Sequence, residues 1–316
     1  MLIISKFRKL FIFLKTHLKT FGLFHGIRKI LMTSVYKRLT DNVMADHVYA
    51  KSSFHYVEKF YKKHKADFNL SRPSNDIGES DFIFWTCWLQ GLESAPALVK
   101  ACINSVEKYA AGRRVIVLTY DNLENYISLP DYIIEKHKKG YIQHPAFTNI
   151  LRTYLLYFYG GVWFDATLFF TQPIPDDLLK ENVFFFKAPL NDFYSPWSSW
   201  FIIAAKRKNA LLYRLLCTLL EYWRINNRYI AYFIFHYFLQ AIILHDHECA
   251  EIFNKVPYRS NQNPHFLQVK LLFSQFDKEL WKIVKNVSFC HKLTFKIPEG
   301  KEDGYSFFSF ISELQG

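Results

Sequence analysis

No C-x-x-C pair occurs in the 316 residues, and the five cysteines, Cys87, Cys102, Cys217, Cys249 and Cys290, stand far apart in mostly apolar surroundings. This excludes the usual zinc-ligand spacing and a dense disulfide framework; reduced core cysteines in a cytosolic compartment are expected. No uncharged apolar run reaches the roughly 18–20 residues of a membrane-spanning helix. The N-terminal LIISKFRKLFIFLKTHLKTF is broken by Lys6, Arg8, Lys9 and Lys15 and is not followed by an A-x-A-like cleavage site, so it does not read as a signal peptide. Internal repeats and low-complexity tracts are missing as well.

Acidic residues are absent from the first 40 positions, which hold nine of the 40 Lys and Arg residues; the remaining 31 face 28 acidic residues. The formal net charge of +12 therefore belongs largely to a basic arm on a near-neutral domain. A uniformly basic face for nucleic acid is not indicated, and no nucleic-acid partner is expected. On a helix, Phe7, Leu10, Phe11, Leu14, Leu18 and Phe21 share one face, and Lys9, Lys15 and Lys19 lie away from it. That is the pattern of an amphipathic helix on anionic lipid, here the inner face of the cell membrane. The plainer alternative is a helix packed on its own domain or on a partner.

What the chain does have is apolar residues, 50% of the total, with 32 Phe and 20 Tyr. That is ample for a packed core in one large α/β domain. Four stretches are read: the basic arm (1–40), a polar transition rich in Pro, Gly, Ser and Asn (41–80), a sheet-bearing core (81–190) and a mainly helical remainder (191–316). FIFWTCWL (82–89) predicts a buried strand, Pro96 a helix start, and RRVIVLTYDN a second strand. Strand, helix and strand in about 40 residues make a right-handed βαβ unit with a parallel sheet. Ligands bind beyond the carboxyl ends of such strands, where Trp88 and Asn122 fall. A second helix starts near Pro145 and stops at Gly160 and Gly161, one of them left-handed. VWFDATLFF then runs extended. Asn209 is read as a helix cap, and residues 230–245 as a buried helix.

The chemistry centres on Asp165, a lone carboxylate in an apolar run. In an extended segment Asp165 and Thr167 project to the same side, a modest oxygen pair for Mg²⁺ or Mn²⁺. Asn149 and Arg152 share one helix face upstream, and Arg152 offers a fork for phosphate oxygens. The same spacing equally fits a salt bridge between Arg152 and Asp165 closing the helix–strand joint.

The run HPAFTNILRTYLLYFYGGVWFDATLFFTQPI resembles the nucleotide-sugar-binding segment of glycosyltransferases with a DXD sugar-binding motif, closest to the capsular polysaccharide synthesis branch. FWTCWLQGLESAP, VIVLTYDN, WFIIAAKRKN, YFIFH and SFCHKLTFK extend the likeness over roughly residues 80–295. It implies a GT-A fold, a Rossmann-like, mostly parallel sheet flanked by helices, and a metal-bridged donor diphosphate. It further implies transfer of a hexose, with retention, from a UDP-sugar to a surface glycan or lipid-linked acceptor. Trp88 would stack on the base, Arg152 would contact the donor, and Asp165 would hold ribose or metal. Asn122, Asn149, Thr167, His291 and Lys292 are the further donor-side candidates, and Asp192 and His236 the acceptor-side ones. The family's helix Asp is Asn149 here and its second motif carboxylate is Thr167. The alternatives are a sugar-phosphate transferase releasing nucleoside monophosphate, and a non-catalytic glycan- or partner-binding module at the membrane surface.

Overall fold

The computed structural model describes residues 2–32, 42–189, 192–298 and 304–314. Seven strands are described: β1 (Phe84–Cys87), β2 (Val115–Leu118), β3 (Gly161–Phe164), β4 (Leu168–Phe170), β5 (Phe184–Lys187), β6 (Trp197–Ala204) and β7 (Cys290–Lys292). Five of them build a central sheet in the order β2–β1–β3–β6–β5, and β4 pairs with β7 in a small second one. β1 lies parallel to both β2 and β3; β6 runs antiparallel to its neighbours β3 and β5. The result is a mixed α/β fold with a central, mostly parallel sheet flanked by helices. β3 and β6 are buried along their whole length, which is why β3 reads as an unbroken apolar run and β6 as one broken only by Ser198 and Ser199, rather than as alternation.

The expected βαβ unit is present, with helix Ala97–Tyr109 joining β1 to β2. A second helix, His144–Tyr159, leads into β3 through the glycine pair. Gly160 and Gly161 both have positive φ, 68° and 90°. A Cβ on Gly161 would stand 2.0 Å from the Ile83 carbonyl oxygen. The turn therefore needs glycine twice over, for its backbone angles and for the closeness of β3 to the segment entering β1. Asn209 caps Ala210–Ile225 by accepting from the Leu211 and Leu212 amides, as its position predicts. The expected buried helix is Ile234–His245.

Three readings change. The stretch taken as a polar transition holds a 22-residue helix, Asn42–Lys63. It buries Phe54, Val57 and Tyr61, one face at helical spacing beneath an otherwise polar composition. β1 is shorter than the apolar run 82–89. The segment after β3 does not continue extended: the Leu168 amide donates to the Asp165 carbonyl at 2.9 Å, so residues 165–168 form a turn.

The basic arm is helix Leu2–Ile30, interrupted at Gly22. Side chains before Leu14, including Phe7, Leu10 and Phe11, lie outside the described residues. Phe21, expected on the lipid-facing stripe, is core instead: it is buried and its ring centroid lies 6.3 Å from that of Tyr229. Arg28 donates to the Ser52 hydroxyl at 2.8 Å, the Ser53 hydroxyl at 3.0 Å and the Ile230 carbonyl at 3.3 Å. The helix around and beyond Gly22 thus packs on its own domain. Leu23, Phe24 and Ile27 remain exposed. Among the described residues no helix is long and apolar enough to cross a membrane.

Candidate functional site

The carboxyl ends of β1 and β3 and the start of antiparallel β6 meet at one edge of the sheet. Asp165 follows β3 directly and stays tied to β6, its amide donating to the Trp200 carbonyl at 2.8 Å. The first half of helix His144–Tyr159 lies across this edge, bringing Asn149 and Arg152 with it. β7 reaches the same place from the far end of the chain. Its pairing with β4 sets Lys292 opposite Leu168 and His291 opposite Phe169.

The centre is a three-residue ion cluster. Arg152 Nη2 stands 3.2 Å from Asp165 Oδ1, and Lys292 Nζ stands 3.0 Å from Asp165 Oδ2. The Trp163 indole N–H donates to Oδ1 at 3.3 Å, and Lys292 also donates to the Thr167 hydroxyl at 2.6 Å. Arg152 is buried; it donates to the Ser199 carbonyl and, weakly, to the Thr148 carbonyl at 3.5 Å, and lies over the Trp163 ring at 5.0 Å. Burial pushes the Asp165 carboxyl up, but Lys292 and Arg152 together outweigh it and hold the group at about 2. The salt-bridge reading of the spacing holds: Arg152 and Asp165 close the helix–strand joint, and the joint opens into cavities.

Two cavities meet at this cluster. One, of about 590 Å³, is walled by Trp88, Gln90, Phe295 and Lys296 and reaches Thr167. The other, of about 400 Å³, is walled by Asn149, Asp192, Trp200, His236 and Lys292. Arg152, Asp165, Pro145 and Tyr232 line both. Next to the first, across His144, lies a larger hollow of about 1010 Å³. At its rim the Tyr120 hydroxyl lies 2.9 Å from His137 Nε2 and 3.3 Å from His144 Nδ1.

Of the ten residues singled out from sequence, eight line the two cavities. The other two are corrections. His291 and Lys292 are strand neighbours and point to opposite sides; with Lys292 at the cluster, His291 is buried beside the Thr171 hydroxyl at 3.4 Å. Burial pulls its imidazole down to about 4, so it is a neutral core histidine. Asn122 spends its amide on its own turn, accepting from the Thr119 N–H at 2.9 Å and donating to the Val117 carbonyl at 2.9 Å. His236 is half-buried at the second cavity, with burial and then Arg152 lowering it to about 3. Asp192 is exposed and accepts from the Ser195 N–H at 3.1 Å. Trp88 packs edge-on to Phe295 at 5.6 Å between centroids.

Tyr232, Lys296, Trp200 and the Tyr120–His137–His144 group were missed. Tyr232 lies exposed in the turn just before helix Ile234–His245, within a stretch whose apolar composition reads as buried.

The donor set does not fit a divalent ion held by the protein. Each oxygen of the only motif carboxylate faces a cationic N–H donor, and Thr167 accepts from the same ammonium. Among the described residues no group of three or more His, Cys, Asp or Glu side chains is placed to hold a metal.

A model of the capsular polysaccharide synthesis protein family matches residues 37–311, nearly the whole chain. The chain belongs to that family. Membership ties the chain to capsule synthesis, and the matched span includes both cavities and all three members of the ion cluster. No curated protein matches the chain.

Proposed function

We propose that this protein is a glycosyltransferase on a GT-A-type frame. It moves a sugar from a nucleoside diphosphate sugar, with UDP-sugars as the first choice, to a polysaccharide or lipid-linked glycan acceptor. One observation carries the reading: two cavities meet at a single charged cluster lined by Arg152, Asp165 and Tyr232. A group transfer needs two substrates held edge to edge with the reacting atoms between them, and this arrangement provides that.

The Trp88 cavity takes the donor. Its Trp and Phe295 offer apolar faces to a base or sugar, while Lys296 and Arg152 of its lining, with Lys292 bonded to its Thr167 from the neighbouring cavity, offset the charge that develops on the departing diphosphate. The second cavity takes the acceptor, with Asp192 and Asn149 as hydroxyl partners. His236 is neutral at physiological pH and serves there as a hydrogen-bond partner rather than as an acid. Retention at the anomeric carbon follows from the family resemblance. The reading places the enzyme on the cytoplasmic side of the membrane, with the N-terminal arm toward the lipid.

The test is release of nucleoside diphosphate from a panel of UDP-, GDP-, CDP- and dTDP-sugars, with and without short glycan acceptors. Diphosphate release that rises with acceptor supports the proposal. Release of nucleoside monophosphate makes the protein a sugar-phosphate transferase, and no turnover with any donor makes it a binding module.

A further inference from the structure

We propose that Lys292 and Arg152 neutralise the donor diphosphate in place of a divalent ion, so that donor binding requires no metal and Asp165 positions the two cations instead of ligating one. This rests on the donor reading of the Trp88 cavity.

The geometry is specific. A metal ligand must present free lone pairs to one point. Asp165 Oδ1 meets Arg152 Nη2 at 3.2 Å and the Trp163 indole at 3.3 Å, and Oδ2 meets Lys292 Nζ at 3.0 Å. Thr167, the second expected ligand, accepts from that same Nζ at 2.6 Å. The ammonium thus stands between the two oxygens that would have held an ion. A divalent cation entering there must displace it and then remain beside two positive charges in a half-buried site, where like charges repel strongly.

The same atoms suit a diphosphate. An ammonium has three N–H donors; Asp165 and Thr167 take two, leaving one for a phosphate oxygen. The guanidinium has five, and Ser199, Thr148 and Asp165 take three. The cluster carries two positive charges against one negative charge; Arg152, Asp165 and Lys296 line the Trp88 cavity, and Lys292 lines the adjoining one while bonding to Asp165 and Thr167 at their junction. With the acid neutralised by its partners, the excess charge faces the ligand. Asp165 then opposes diphosphate binding electrostatically while it fixes the geometry, the reverse of what a metal ligand does.

That reversal gives the experiment. Titrate the full chain calorimetrically with uridine, guanosine and cytidine diphosphates, once in excess EDTA and once with Mn²⁺ or Mg²⁺. Repeat with Lys292→Gln, Lys292→Arg and Asp165→Asn, confirming folding by near-UV circular dichroism. The expected result is binding in EDTA as tight as with metal. Lys292→Gln should weaken it about tenfold, Lys292→Arg should restore most of it, and Asp165→Asn should keep it within about threefold or tighten it. Binding that appears only with metal and is lost in Asp165→Asn overturns this proposal and leaves the donor reading standing. No binding of any nucleoside diphosphate in either condition overturns both.

Discussion

Arg152 and Asp165 are held by neighbouring residues of one strand: Arg152 donates to the Ser199 carbonyl, and the Asp165 amide donates to the carbonyl of Trp200, at 2.8 Å. The ion pair is thereby fixed to β6 rather than floating at a helix end. A lysine at 152 keeps the charge but has no fork to reach Ser199 and Asp165 together. Nucleoside diphosphate affinity should fall in the order wild type, Arg152→Lys, Arg152→Ala. The alanine should also lose roughly 2 kcal/mol of stability, because the Ser199 carbonyl loses the Arg152 donor and Asp165 Oδ1 keeps only the Trp163 indole. Calorimetric titration and urea unfolding read the two effects; equal affinity in all three proteins removes Arg152 from the site.

Asp165 supplies a pH signature. Its folded value, about 2, lies below the ordinary 3.8, so the folded state favours the ionised form. The stabilisation is complete above about pH 4 and is lost as pH falls through about 2. With a side chain 27% exposed, the contribution is at most about 2 kcal/mol. Urea midpoints between pH 5 and pH 2 should fall more steeply for wild type than for Asp165→Asn. Parallel curves mean that the ion cluster does not stabilise the fold.

His291 works in a different window. Its folded value of about 4, against an ordinary 6.5, means that the unfolded chain takes up the proton first. Stability is full above pH 6.5 and drains as pH falls toward 4. His291→Gln should flatten that part of the profile while leaving nucleoside diphosphate affinity at pH 7.5 unchanged. A loss of affinity without a loss of stability would return His291 to the donor site.

Gly161 and Gly91 form an internally controlled pair. Both have positive φ, 90° and 85°, but a Cβ on Gly161 meets the Ile83 carbonyl at 2.0 Å and one on Gly91 meets nothing within 4 Å. Gly91→Ala should cost about 1 kcal/mol for backbone strain alone. Gly161→Ala should cost more than about 3 kcal/mol, or prevent soluble expression, since two backbones must part. Equal effects would mean that β3 and the segment entering β1 are less tightly apposed than described.

The arm divides at Gly22. Removing residues 1–13 leaves Phe21 and Arg28 seated, so the fold and donor binding should persist while any sedimentation with anionic vesicles is lost. Removing residues 1–40 strips Phe21 from Tyr229 and Arg28 from Ser52 and Ser53, and unfolding should then move to clearly lower temperature. Vesicle sedimentation across a salt series, together with thermal melts, separates the anchoring and packing roles. A full-length chain that ignores anionic vesicles at low salt has no lipid anchor in the arm.

The parts that were legible in the sequence were local. The Gly160–Gly161 stop, the Asn209 cap, the Arg152–Asn149 face and the βαβ unit each rest on spacing within a few turns. The Asn42–Lys63 helix was not read: Phe54, Val57 and Tyr61 mark its buried face, but the polar residues around them masked the period. The turn after Asp165 was not, because ATLFF carries strong strand propensity and the turn is imposed by the pairing of β4 with β7. Nor was the choice between His291 and Lys292: shifting a strand by one residue exchanges its faces, and only the register with Leu168 decides it. Lys292 lies 127 positions from Asp165, beyond any pattern a window can hold.

That separation also governs how the cluster is assembled. A nascent chain that has emerged through β6 already owns the sheet, the helix bearing Arg152 and the Asp165 turn, yet its carboxylate still waits for an ammonium delivered by the last described strand. On the donor reading proposed above, the grip on a diphosphate is thus completed only once a strand 127 positions downstream of Asp165 has been made.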